Sequence, residues 1–148
     1  MYRDKTIGVV VPAYNEEGFV GEVIDTIPDY VDRVYVVDDA STDGTWKEIK
    51  KHAIKVNKEH EFDEKIKEEY DYEQKVVGIR HDENKGVGGA IKTGYLLALD
   101  DDIDITSVMG GDGQMDPDSL HLLLDPIVEG KADYAKGNRL MHYSYRRD

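Results

Sequence analysis

The chain has 148 residues, 34% of them charged and 39% hydrophobic, with no cysteine and a formal net charge of −13. This is the balance of a folded, soluble domain and excludes a disordered chain, a disulfide framework and a thiolate zinc site. The negative charge argues against nucleic acid, whose phosphates call for Lys and Arg, and against adsorption to an anionic membrane face.

Length alone predicts one domain with room for a real core. No apolar run approaches the ~20 residues of a membrane helix, and Met1-Tyr-Arg-Asp-Lys5 lacks a signal-peptide core, so a cytoplasmic setting is expected. Ile7 to Pro12 is a continuous, β-branched apolar run, the mark of a buried parallel strand. Phe19, Val20, Val23, Ile24 and Ile27 recur at helical spacing and stop at Pro28. Val34 to Asp38 is a second buried strand, followed by the polar turn Asp38-Asp-Ala-Ser-Thr-Asp-Gly-Thr45. A helix from about Thr45 carries Trp46, Ile49 and Ile54. Residues 50–75, rich in Lys, Glu, Asp and Tyr, read as an exposed helical excursion with a solvated charged face.

Val76 to Ile79 is a third strand. The glycine-rich loop Asn84 to Ala90 opens a helix whose expected buried face is Ile91, Tyr95, Leu96 and Leu99. Ile103 to Met109 is a fourth strand. A helix over 118–129 buries Leu120, Leu123, Leu124 and Ile127, and Ala132 to Ala135 is expected as a fifth short strand before Gly137-Asn-Arg139. Alternating strands and helices imply an α/β fold with right-handed crossovers and a mostly parallel central sheet flanked by helices. Nothing near Asp148 reads as a closing helix, so an N-terminal portion of a longer protein is expected.

The fourth strand ends in Val108-Met-Gly-Gly-Asp-Gly-Gln-Met-Asp-Pro117. Two glycines turn the backbone and present Asp112 at the carboxyl edge of the sheet, where ligands bind in open parallel sheets. A hard carboxylate oxygen there suits Mg²⁺ or Mn²⁺, which take one or two carboxylates and fill their shell with phosphate oxygens and water. Asp116 before Pro117 is a helix N-cap. Asp38 and Asp39 are more acid than a cap requires and are expected to hydrogen-bond a base or ribose.

The glycine loop fits neither standard phosphate pattern. Ile91 replaces the third glycine after Gly86 and Gly88, and Tyr95 stands where the lysine after Gly94 would be. Either it is a tight strand–helix connection, or Lys85 and free backbone N–H groups sit near an anion. His52, His60, His81, His121 and His142 show no metal-ligand spacing and are expected at the surface. No GxSxG elbow is present.

Val10-Val-Pro-Ala-Tyr-Asn-Glu-Glu17, Val36-Val-Asp-Asp-Ala-Ser-Thr-Asp-Gly-Thr45, Asn84-Lys-Gly86 and Gly111-Asp-Gly-Gln-Met-Asp-Pro117 stand in one order. Together they resemble family 2 glycosyltransferases of the Rossmann-like GT-A fold, above all the dolichyl- or polyprenyl-phosphate mannose and glucose synthases. The likeness runs from about residue 6 to 139.

It implies that residues 1–148 are the nucleotide-sugar-binding portion of a GT-A domain. Pro12, Tyr14, Glu16, Val37 and Asp39 would line the nucleotide pocket beside Asp38, Lys85 and Gly111. Asp112 would match the second acid of the family's DxD motif and hold the metal, with Gln114 beside it; Gly110 replaces the first acid. Arg139 would match an arginine that reaches the phosphates or the acceptor. The implied reaction transfers a sugar from a GDP- or UDP-sugar to an acceptor such as a lipid phosphate, with inversion. The alternatives are a non-catalytic nucleotide-binding module and a sugar nucleotidyltransferase. The second is disfavoured because Tyr14-Asn-Glu-Glu17 stands where a glycine- and basic-rich loop would be.

Overall fold

The structure, a computed structural model, describes residues 1–135. Arg139 and the rest of the Gly137-Asn-Arg139 motif lie outside them. The chain divides into two compact units, Met1–Pro117 and a second beginning at Asp118.

The first unit is a parallel sheet of β1 (Ile7–Ala13), β2 (Arg33–Asp38), β3 (Val76–Arg80) and β4 (Ile105–Val108), in the order β3-β2-β1-β4. Val10 pairs with Tyr35 on one side and with Val108 on the other. The connections are α1 (Val20–Asp25), α2 (Thr45–Glu59) with α3 (Glu64–Glu69), and α4 (Gly86–Asp100). The first two steps, β1 to β2 to β3, run outward in one direction. The third returns past β1 to β4. With right-handed crossovers this reversal puts α1 and α2 on one face and α4 on the other, and it leaves a crevice between the carboxyl ends of β1 and β4.

β1 is buried along its whole length, as its unbroken apolar run required. Val10, Tyr35 and Ala98 form a buried cluster with Val77, Ile79, Leu97, Ile103 and Val108 packed against it. Both long helices bury their small or β-branched stripe at i, i+4, i+8 spacing: Thr45, Ile49 and Ala53 in α2, and Ala90, Gly94 and Ala98 in α4. The buried face of α4 is therefore not the expected one. Tyr95, Leu96 and Leu99 are 44%, 52% and 72% exposed, because a close helix–sheet approach selects the smallest side chains. Phe19 and Ile54 are likewise exposed. The charged excursion resolves into the second half of α2 and the short α3, whose Ile66 is buried.

A 3₁₀ turn, Pro117–Ser119, leads into α5, Leu120–Val128, which has Leu120 and Leu124 buried. The expected fifth strand does not form at 132–135. Gly130 takes the left-handed conformation that ends a helix (φ +74°). Lys131 N and Ala132 N then both donate to Pro126 O, at 2.8 and 3.1 Å. These bonds hold the segment's first amide, and the one before it, at the end of α5, and Tyr134 is 79% exposed. Among the described residues no helix is long and apolar enough to cross a membrane.

Candidate active site

Every loop of the site leaves the carboxyl edge of the sheet, and hydroxyl relays tie the first two together. Asp38 Oδ1 accepts from the Ser41 amide and hydroxyl, and Ser41 Oγ in turn accepts from Asn15 N at 2.9 Å. Asp43 Oδ1 accepts from the Thr45 amide and hydroxyl, and Thr45 Oγ1 accepts from Glu16 N at 2.9 Å. In each relay a carboxylate orients a hydroxyl so that its lone pair meets a loop N–H. Asn15 and Ala40 sit at φ +51° and +59°, conformations that cost a side-chain-bearing residue about 1–2 kcal/mol. Asn15 is held there by Thr42 N, which donates to its Oδ1.

Asp39 joins the next pair of loops. Its N–H donates to Ala13 O, and its Oδ1 accepts from Lys85 N at 2.8 Å and lies 2.9 Å from His81 Nδ1. Its carbonyl accepts from Asn84 Nδ2. Burial raises the pKa of this carboxyl, but hydrogen bonds from Lys85, His81 and Gly86 more than offset that and hold it below its ordinary value. His81 was expected at the surface; it is 7% exposed, because it follows β3 directly and bridges Asp39 to Thr93 of α4, whose Oγ1 is 2.8 Å from Nε2.

The fourth loop starts where Met109 N donates to Val10 O and Gly111 N to Pro12 O, which extends the β1–β4 pairing past β4. Asp112 Oδ1 then accepts from Gln114 N at 3.1 Å, an Asx turn that points the carboxyl back over the sheet edge.

Between these loops lies a cavity of about 430 Å³, lined by Pro12, Ala13, Tyr14, Glu16, Asp39, Asn84, Gly86, Val87, Ala90, Gly110, Gly111 and Asp112. Six residues singled out from the sequence meet here: Pro12, Tyr14, Glu16, Asp39, Gly111 and Asp112. Val37 and Asp38 are instead fully buried at the end of β2. Asp38 Oδ2, which has no hydrogen-bond partner, lies 3.5 Å from Arg80 Nε. Lys85 contributes its backbone N–H to Asp39, with its side chain exposed, and the Gln114 side chain is exposed. Ala13, Asn84, Gly86, Val87, Ala90 and Gly110 complete the wall. Asn84 and Gly86 belong to one of the resembled motifs and Gly110 stands at the first DxD position; for Val87 and Ala90 a place in the glycine-rich loop was the only signal in the sequence. A second cavity, of about 380 Å³, opens at the opposite edge of the sheet around His60 and Lys75 and contains none of the motif residues.

Burial, then the charges of Asp112 and Asp43, raise the Glu16 pKa. Glu16 and Asp112 thus share a field in which negative charge is already in excess, and a cation would relieve it. Among the described residues no three His, Cys, Asp or Glu side chains cluster as a complete metal cage. Asp112, with Glu16 near it, fits a hard divalent cation that takes few carboxylates and keeps open positions for water and phosphate.

Residues 8–147 match Glycosyl transferase family 2. A UDP-N-acetylglucosamine–dolichyl-phosphate N-acetylglucosaminyltransferase of Methanococcus voltae is 33% identical over 138 residues, 93% of this chain and 53% of that protein. A mannosyltransferase of Pyrobaculum calidifontis, solved with GDP-Man and Mn²⁺, superposes with a TM-score of 0.60 at 24% identity, over 81% of this chain and 31% of its own. Glucosyl-3-phosphoglycerate synthase of Mycobacterium tuberculosis, solved with Mn²⁺ and UDP-glucose, gives 0.57 at 24% identity, over 86% of this chain and 41% of its own. The structural likeness shows the fold, the GT-A fold that the motifs implied. The chain spans about half the length of the relatives it matches in sequence.

Proposed function

The chain belongs to glycosyl transferase family 2, and on that premise we propose that residues 1–148 form the donor-binding part of an enzyme that transfers a sugar from a UDP- or GDP-sugar. The acceptor is a polyprenyl or dolichyl phosphate, which sets the reaction at the cytoplasmic face of a membrane. One observation carries this reading: residues from all four motifs line a single cavity at the carboxyl edge of the sheet.

In this reading Pro12 and Tyr14 form the wall against the base, and Asp39 takes a donor from base or ribose. The first turn of α4, from Val87 onward, faces the diphosphate with its N–H groups, and Lys85 lies nearby. Asp112 holds the divalent cation, Mg²⁺ or Mn²⁺, with Gln114 beside it. When bound, that ion neutralises the leaving diphosphate. Arg139 lies outside the described residues, and the role proposed for it, toward the phosphates or the acceptor, is the one the resemblance implies. The acceptor oxygen displaces the nucleotide in line, with inversion.

Backbone NMR tests the assignment. Adding UDP or GDP with Mg²⁺ is expected to shift the amides of Ala13, Asp39, Gly86 and Gly111 together. Shifts centred on the His60–Lys75 cavity would refute it.

A further inference from the structure

Asp39 has a double task. It lines the cavity, and it also binds the Asn84–Gly86 loop to the sheet. Its Oδ1 is held by Lys85 N and His81, and Gly86 N also bonds the carboxylate. The direction in which the carboxylate points depends on what grips it.

A carboxylate can only accept, so His81 Nδ1 must carry the hydrogen between them. The other ring nitrogen, Nε2, is 2.8 Å from Thr93 Oγ1, and that hydroxyl reaches Gly89 O at 3.1 Å in the first turn of α4. The imidazole is therefore fixed at both ends, by the tip of β2 and by α4, and the side chain is 6% exposed. A buried ring with both nitrogens engaged is a rigid spacer between the two walls of the cavity.

We infer that His81 is a positioning residue for the nucleotide: its Nδ1–H sets the Asp39 carboxylate, and Thr93 sets the imidazole. This rests on the reading that the cavity takes a nucleotide. His81 itself does not line the cavity; it acts through Asp39.

Three substitutions separate this role from simple packing. In His81→Asn the amide nitrogen falls where Nδ1 was, so the bond to Asp39 is kept and that to Thr93 is lost. In His81→Gln the longer amide reaches the Nε2 position and keeps Thr93 instead. His81→Ala loses both.

With UDP and GDP as probes, His81→Asn is expected to bind within about threefold of the unsubstituted chain. His81→Gln and His81→Ala are expected to bind about tenfold more weakly, the scale of one lost hydrogen bond to a charged group. Amide hydrogen exchange at Lys85 and Gly86 is expected to quicken in the Gln and Ala variants and not in Asn. A packing role would rank Gln, the closer match in volume, above Asn. That order, or exchange unchanged in all three variants, would overturn the inference. Exchange that follows the series while no form binds nucleotide would uphold the positioning role and refute the nucleotide reading.

Discussion

Gly94→Ala is expected to destabilise the fold by about 2 kcal/mol, against the helix propensity of the two residues. In an exposed helix the same change stabilises by up to about 1 kcal/mol. Gly94 lies in the middle of α4 over β1, and a Cβ built there would be 2.6 Å from Val10 Cγ2, 3.0 Å from Val10 Cβ and closer still to Cγ1. Rotating the Val10 side chain gives no relief, because all three of its atoms are already too near and a β-branched residue is stiff at χ1. The helix itself would have to lift from the sheet, carrying Gly86 and Val87 of the cavity wall with it. Urea unfolding measures the sign directly. In a double-mutant cycle, Val10→Ala is expected to recover much of the loss, whereas a more stable Gly94→Ala would mean that α4 does not pack as closely as described.

Gly110→Asp is expected to tighten Mn²⁺ binding at least tenfold, about 1.4 kcal/mol. A Cβ at Gly110 would lie 3.1 Å from Asp112 Oδ1 and 3.6 Å from its Cγ, so a carboxylate there is carried to the side of the Asp112 carboxylate. The backbone at Gly110 is not among the positive-φ glycines, so an aspartate meets no conformational penalty of that kind. The added charge enters a site where Asp112 already raises the Glu16 pKa. Without metal the like charges repel, so the variant is expected to melt below the unsubstituted chain in EDTA and to gain more from Mn²⁺ than it does. Thermal melts with and without Mn²⁺, together with a Mn²⁺ titration, check both halves. An unchanged Mn²⁺ affinity would mean that the ion is not held beside Asp112.

The centre of the sheet was legible because β1 and β2 are buried on both faces and so read as unbroken apolar runs: Ile7 to Pro12 and Val34 to Val37 announce themselves. The Asp112 turn was legible because an apolar run, two glycines and an acid admit few conformations. The face of α4 was not. Hydrophobic periodicity ranks positions by the size of their side chains, while the contact with β1 is made by Ala90, Gly94 and Ala98, which are small because the backbones approach closely.

Asp38 and Asp39 looked equivalent, yet successive residues at the end of a strand point to opposite faces: Asp38 is sealed in the Ser41 turn and Asp39 opens onto the cavity. His81 escaped notice because its partner lies 42 residues away and makes no short motif with it. Its place immediately after β3, at the carboxyl edge of the sheet, was the available clue. The supposed strand at 132–135 failed for a local reason, the capture of its first amide, Ala132 N, and of Lys131 N before it by the end of α5.

The central claim is that this cavity takes a nucleotide through a cation on Asp112. Calorimetric titration of UDP and of GDP, each with Mn²⁺ and again with EDTA, on the chain and on Asp112→Asn, tests it most directly. The account predicts binding of one nucleotide that requires Mn²⁺ and disappears in Asp112→Asn. Binding that is equally strong in EDTA, or that survives Asp112→Asn with its metal dependence intact, would contradict it.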